Sequence, residues 1–136
     1  MEIEQNPEIE YYPMESTMRV PFSAAVRVGK MLYLSGQIGM DATGNVVPGG
    51  IAAETRQTLE NIRATLERCG SSLDRVIKAT VMMADMAEWS EMNKVYVTYF
   101  DQHLPARSAF GTTGLALGAR VEIECIAVLE QGQAQV

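Results

Sequence analysis

The sequence predicts an α+β domain, a sheet with two helices packed on one face. Three observations carry that expectation. Hydrophobic patterns run in the order strand, strand, helix, strand, helix, strand, strand. One long stretch (51–69) repeats its apolar residues at spacings of three and four, and another (75–84) shows apolar side chains on both sides of an extended run. At 136 residues the chain is the size of one compact domain.

The elements follow in order. Residues 1–17 read as a polar lead-in with Tyr11 and Tyr12 as its anchors, 18–130 as the single domain, and 131–136 as a tail. From Phe22 to Val28, Phe22, Ala24, Val26 and Val28 alternate with Ser23, Ala25 and Arg27, a strand pattern. Gly29-Lys30 forms a short turn into a second strand, Met31 to Ile38. Gly44 marks a turn within Asp41–Asn45, and Val46-Val47 is a short extended piece. The first helix carries Ile51, Thr55, Leu59, Ile62, Leu66 and Cys69 on one stripe, and Gly70 stands where a left-handed cap ends a helix. Arg75–Ala84 is the strand buried on both faces, with Ile77, Ala79, Val81 and Met83 on one side and Val76, Thr80 and Met82 on the other. Asp85 with Glu88 resembles a capping box opening the second helix, whose stripe is Trp89, Met92, Tyr96, Tyr99 and Phe100. Two extended segments, Arg107–Thr112 and Arg120–Leu129, close the domain across a stretch containing Gly114 and Gly118.

Two helices cover only one face of such a sheet. An apolar second face is rarely left wet, so other copies of the chain are expected to bury it, with a closed ring of subunits as the outcome.

Composition excludes several functions. Eleven basic against seventeen acidic residues leave a net charge of −6, and no basic cluster is present to neutralise phosphates, so nucleic acid is not expected as a partner. His103 is the only histidine, which removes a histidine-based zinc site and leaves a Ser-His-Asp relay without its elbow motif. Cys69 and Cys125 belong to no Cys-x-x-Cys pair and read as buried free thiols. Met1–Glu10 is acidic and broken by Pro7, unlike a signal peptide, and no apolar run reaches the ~18 residues of a membrane span. The expectation is a cytoplasmic domain with no membrane partner, cofactor or metal.

A few polar residues fall where burial is expected. Ser35 precedes Gly36 in an apolar strand; Asn93 lies on the apolar side of the second helix, one turn from Trp89; Arg107 opens a strand; Glu122 and Glu124 share one face of the last strand. Each has an ordinary structural reading: a core polar group bonded to backbone, a surface or subunit ion pair, a solvated sheet face. The guanidinium of Arg107 also suits bidentate capture of a carboxylate.

Taken together, Pro21-Phe22, Gly29, Ser35-Gly36-Gln37-Ile38, Asn93-x-x-Tyr96, Pro105-Ala106-Arg107-Ser108 and Val121-Glu122-Ile123-Glu124-Cys125-Ile126-Ala127 resemble the Rid/YjgF family of reactive intermediate deaminases. The resemblance runs from Pro21 to Leu129. It implies a chorismate-mutase-like α+β fold, assembled as a homotrimer with clefts between subunits. It also implies hydrolysis of 2-imino or enamine acids such as 2-aminoacrylate to 2-keto acids and ammonia, using water and no cofactor. Arg107 would grip the substrate carboxylate, and Glu122 would orient water or move a proton. Ser35 and Asn93 would bind substrate or shape the pocket.

Two positions depart from the family pattern. Phe22 stands where the family commonly has tyrosine, and Ala109 where it often has cysteine. The lost hydroxyl bears on substrate identity, because pockets read substrates through placed polar groups. The alternatives are therefore a deaminase for a bulkier substrate such as 2-aminomuconate, or a non-catalytic carboxylate binder. The ribonuclease activity attributed to some relatives is disfavoured by the acidic charge and the lack of a histidine pair.

Overall fold

The computed structural model describes residues 8–15 and 19–130. The ends read as lead-in and tail, residues 1–7 and 131–136, lie outside the described residues, as do 16–18. Six strands form one sheet: β1 (Ile9–Tyr12), β2 (Ala25–Val28), β3 (Met31–Leu34), β4 (Val76–Met83), β5 (Ala106–Gly111) and β6 (Val121–Val128). Their order across the sheet is β1-β2-β3-β6-β4-β5, with β4 and β5 parallel and every other pair antiparallel. Helix α1 (Gly50–Arg68) joins β3 to β4, and α2 (Trp89–Tyr99) is the crossover that makes β4 and β5 parallel.

Both helices pack on the same side of the sheet, as expected. The core between them holds Leu59, Ile62 and Leu66 of α1, Met92 and Tyr96 of α2, and the inward side chains Leu32, Val81, Met83, Val121, Ile123 and Cys125 of the strands. The Tyr99 hydroxyl donates to Glu60 Oε2 at 2.8 Å and ties the helices together. Gly70 takes φ 87° just past α1, the left-handed stop that its place in the sequence predicts. The Gly29-Lys30 turn pairs Val28 with Met31, and Gly29 supplies the positive φ of 59° needed at the first corner of a two-residue hairpin loop. Cys69 and Cys125 are buried free thiols.

Several local expectations are corrected. β1 lies inside the stretch read as a polar lead-in: Ile9–Tyr12 pairs in register with β2, Tyr12 packs against the core and Tyr11 is exposed. The first domain strand begins at Ala25 rather than Phe22, and the second ends at Leu34, after which Gln37 makes only an isolated bridge to Ile123. A bulge between Val76 and Lys78 reverses the parity of β4, so Val76 joins Ala79, Val81 and Met83 in the core while Ile77 is exposed. Asp85 does cap, accepting from Ala87 N at 2.9 Å, but it opens a 3-10 turn (Met86–Glu88) that precedes α2.

The opposite face of the sheet has no covering element among the described residues. Register places Val26, Tyr33, Ile126, Met82 and Phe110 across it, together with Glu122, Glu124, Thr80 and Lys78. Tyr33 and Phe110 are nearly half exposed there. Among the described residues no helix is long and apolar enough to cross a membrane.

Candidate active site

Arg107 is the second residue of β5, an edge strand, and it pairs with Ala79, a core residue of β4. Strand alternation therefore sends its side chain to the helix-bearing face, beneath α2. There α2 presents Trp89 at its start, with Asn93 about one turn and Tyr96 about two turns further along a single side of the helix. Arg107 Nη1 donates to Asn93 Oδ1 at 2.6 Å. Its guanidinium carbon lies 4.8 Å from the Tyr96 ring centroid and 5.9 Å from that of Trp89. Two aromatic faces and one amide thus hold the cation by cation–π attraction and a hydrogen bond. Among the described residues no carboxylate lies within ion-pair distance of it. A guanidinium makes five donor bonds, so the arrangement leaves a preformed, partly desolvated anion receptor. Ala109, two residues along the same face, packs against the core and adds no polar group.

The Tyr96 hydroxyl is buried without a partner, and burial pushes its pKa up to about 12. It is therefore neutral at physiological pH and supports Arg107 as a ring. Trp89 was legible as part of an apolar stripe, yet it is 41% exposed because it stands over the arginine rather than in the core.

Glu122 belongs to β6 and points to the uncovered face, as the pairing Met82↔Glu122 and the buried Val121 and Ile123 on either side require. Its carboxylate lies against Gly36, where a Cβ would collide with it. Burial first, and then the charge of Glu124 on the same face, push the Glu122 pKa above the ordinary carboxylate range. Glu124 is the more exposed of the pair. Ser35 Oγ donates to Ser23 O at 2.6 Å, and Ser35 N donates to Ala24 O at 3.0 Å. The hydroxyl proton is thus committed to backbone, as the ordinary reading had it, and the oxygen keeps only acceptor capacity toward a ligand. This bond steadies the segment that carries Phe22, whose ring is half exposed.

The structure therefore brings the predicted residues together in two groups. Arg107, Asn93 and Ala109 meet on the helix side of the sheet; Glu122, Gly36 and Ser35 belong to β6 and the chain following β3. Within one chain Arg107 and Glu122 point from opposite faces. Among the described residues no cluster of three or more His, Cys, Asp or Glu side chains is arranged to hold a metal ion.

Comparison with known proteins matches the chain to a family. The model of the family described as Endoribonuclease L-PSP matches residues 14–129. The 2-iminobutanoate/2-iminopropanoate deaminase of Bos taurus is 49% identical over 109 residues, which cover 79% of this chain and 80% of that protein. The protein of the same name from Mus musculus is 45% identical over 79% of this chain and 81% of its own length. Among solved structures, the YjgF gene product of E. coli superposes with a TM-score of 0.81 at 32% identity, covering 89% of this chain and 99% of that one. Fold, motif spacing and overall similarity agree: this chain belongs to the Endoribonuclease L-PSP family, the Rid/YjgF family that its motifs resemble.

Proposed function

We propose that this protein is an enzyme that hydrolyses 2-imino acids and their enamine tautomers, 2-aminoacrylate among them, to 2-keto acids and ammonia. The observation that carries this reading is Arg107, a guanidinium oriented by Asn93, Trp89 and Tyr96 with no carboxylate in ion-pair contact among the described residues. Such a group calls for an anionic ligand, and a 2-imino acid offers its carboxylate directly beside the reactive carbon. The deaminase names of relatives at 45–49% identity support the same reaction.

The chemistry asks little of the protein. The two carboxylate oxygens take the fork of Arg107, which fixes the adjacent C=N carbon and removes the entropic cost of orienting it. Water adds its oxygen to that carbon while the C=N electron pair moves to nitrogen. Glu122 accepts a proton from the water and delivers it to the nitrogen, giving a carbinolamine; the carbinol O–H proton then passes through Glu122 to the same nitrogen, which leaves as ammonia as the C=O bond forms. Asn93 acts through Arg107, and Ser35 Oγ is an acceptor for the imine N–H. Phe22 and Ala109 line the pocket with apolar surface, which suits alkyl-bearing imino acids. No step in this scheme calls on a metal or cofactor.

Arg107 and Glu122 diverge within one chain, so the complete site requires two copies, with Arg107 of one meeting Glu122 of the next. The uncovered face bearing Tyr33, Phe110 and Glu122 supports a homotrimer in which each cleft joins two subunits. The free thiols Cys69 and Cys125 suit a reducing cytoplasm.

The test generates imines in place with an amino-acid oxidase or a pyridoxal-phosphate dehydratase and traps survivors with semicarbazide. Added protein should lower the trapped imine, and Arg107→Ala should abolish the difference. No effect across several imino acids, with 2-keto acid binding retained in calorimetry, would leave a carboxylate binder instead. Cleavage of RNA by the purified protein would speak for a nuclease.

A further inference from the structure

Arg120 immediately precedes β6, outside the groups described above, yet it bonds to three parts of the fold. Its backbone N–H donates to Glu54 Oε1 at 2.8 Å, and its Nε lies 3.7 Å from Glu54 Oε2. Its Nη1 donates to Glu88 Oε2 at 2.8 Å, and its carbonyl accepts from Ala84 N at 3.0 Å. Glu54 is a buried acid on α1, 6% exposed, and Glu88 is the residue immediately before α2. Glu88 is also partly buried, with Oε1 lacking a protein partner. One guanidinium therefore neutralises two carboxylates from different elements while its main chain holds the turn between β4 and α2.

That turn sets where α2 begins. Trp89 follows Glu88 directly, and Asn93 lies one helical turn later; these are the two residues that, with Tyr96, orient Arg107. We infer that Arg120, acting through Glu54 and Glu88, is a positioning residue for substrate carboxylate binding: it fixes the entry of α2 and so the seat of the Arg107 guanidinium. Without it, Glu54 is a buried charge with no cation and Glu88 loses its tether, so the first turn of α2 is free to shift. The guanidinium then keeps its charge but not its aim. The inference rests on the deaminase reading above, in which Arg107 receives a carboxylate.

Trp89 is the sole tryptophan, so its fluorescence reports this junction without labels. In Arg120→Ala the Trp89 emission should move to longer wavelength with greater acrylamide quenching. The Kd for 2-oxobutanoate and the KM for a 2-imino acid should rise about tenfold, the loss expected of one charge-assisted contact, while kcat stays within about twofold. Arg120→Lys should recover part of the binding, since it restores the charge but not the fork. Should Arg120→Ala fail to fold, Glu88→Ala leaves Glu54 paired and should shift the same signals by about threefold. Folded variants whose Trp89 emission and Kd match the parent would overturn the inference. A parent protein that neither binds 2-oxobutanoate nor consumes imine would instead count against the deaminase reading, and the Trp89 shift would still decide the tether.

Discussion

At the scale of single residues, the site is a contrast between a charged group held ready and a carboxyl held back. Arg107 has its neighbours arranged before any ligand arrives, so its replacement removes binding rather than fold. Arg107→Ala should lower kcat/KM at least ~100-fold in the semicarbazide assay, because two bonds to a charged group of ~1.5–3 kcal/mol each are lost. Asn93→Ala should act mainly on KM, about tenfold, since it withdraws one oriented contact from the guanidinium. Glu122 behaves in the opposite sense. Its pKa is raised, so just above the ordinary carboxylate range the folded chain keeps a proton that the unfolded chain has released. Stability therefore falls as pH rises through that window, and at neutral pH the ionised form remains a burden. Glu122→Gln should raise the Tm at pH 7, leave it unchanged well below the carboxylate range, and abolish the acid limb of the rate profile along with activity. That limb, in the parent, should lie above the ordinary pKa of a glutamate. Thermal melts and kcat/KM against pH check both statements.

At the scale of elements, two glycines separate support of the site from support of the fold. A Cβ at Gly36 meets the movable end of the Glu122 side chain, whereas a Cβ at Gly39 would approach the Glu54 carbonyl oxygen to 2.7 Å. Gly36→Ala should therefore fold with a near-parental Tm but lose activity, as the carboxylate swings away. Gly39→Ala has only backbone to displace and should lower the Tm instead. Helix α1 supplies Leu59, Ile62 and Leu66 to the core, all fully buried. Leu59→Ala should cost ~2–5 kcal/mol in urea unfolding, with most of the spread set by how far α2 and the sheet close the cavity. The β4–α2–β5 crossover matters for another reason: it is the only unit that carries both Arg107 and the three residues that orient it.

At the scale of the whole molecule, the helices leave one side of the sheet bare among the described residues, and its apolar residues stand beside Glu122. If the proposed homotrimer forms through that face, Phe110→Asp places a charge in the middle of it and should leave a monomer in light scattering, where the parent scatters as a trimer. Because Arg107 and Glu122 face opposite ways, the same change should also remove activity while leaving the circular dichroism of the subunit intact. Coincident loss of assembly and turnover is the signature of a site shared between copies; an active monomer would contradict it.

Local order was legible in the chain itself. Amphipathic spacing located α1, Gly70 its end and alternation the later strands, because burial on one face imposes a period that survives in any single sequence. The Pro105-Ala106-Arg107-Ser108 string and the Glu-x-Glu strand likewise singled out the candidate site residues. Long-range pairing was not legible. The adoption of Ile9–Tyr12 as an edge strand depends on backbone bonds to β2, which have no side-chain period of their own, and the β4 bulge reverses two residues by inserting one. Glu54 lies three residues after Ile51, on the buried side of α1, yet nothing in helical spacing announces that Arg120, far along the chain, will meet it. Only the folded sheet decides that Arg107 and Glu122 point apart, since facing is set by register across neighbouring strands and not by distance in sequence.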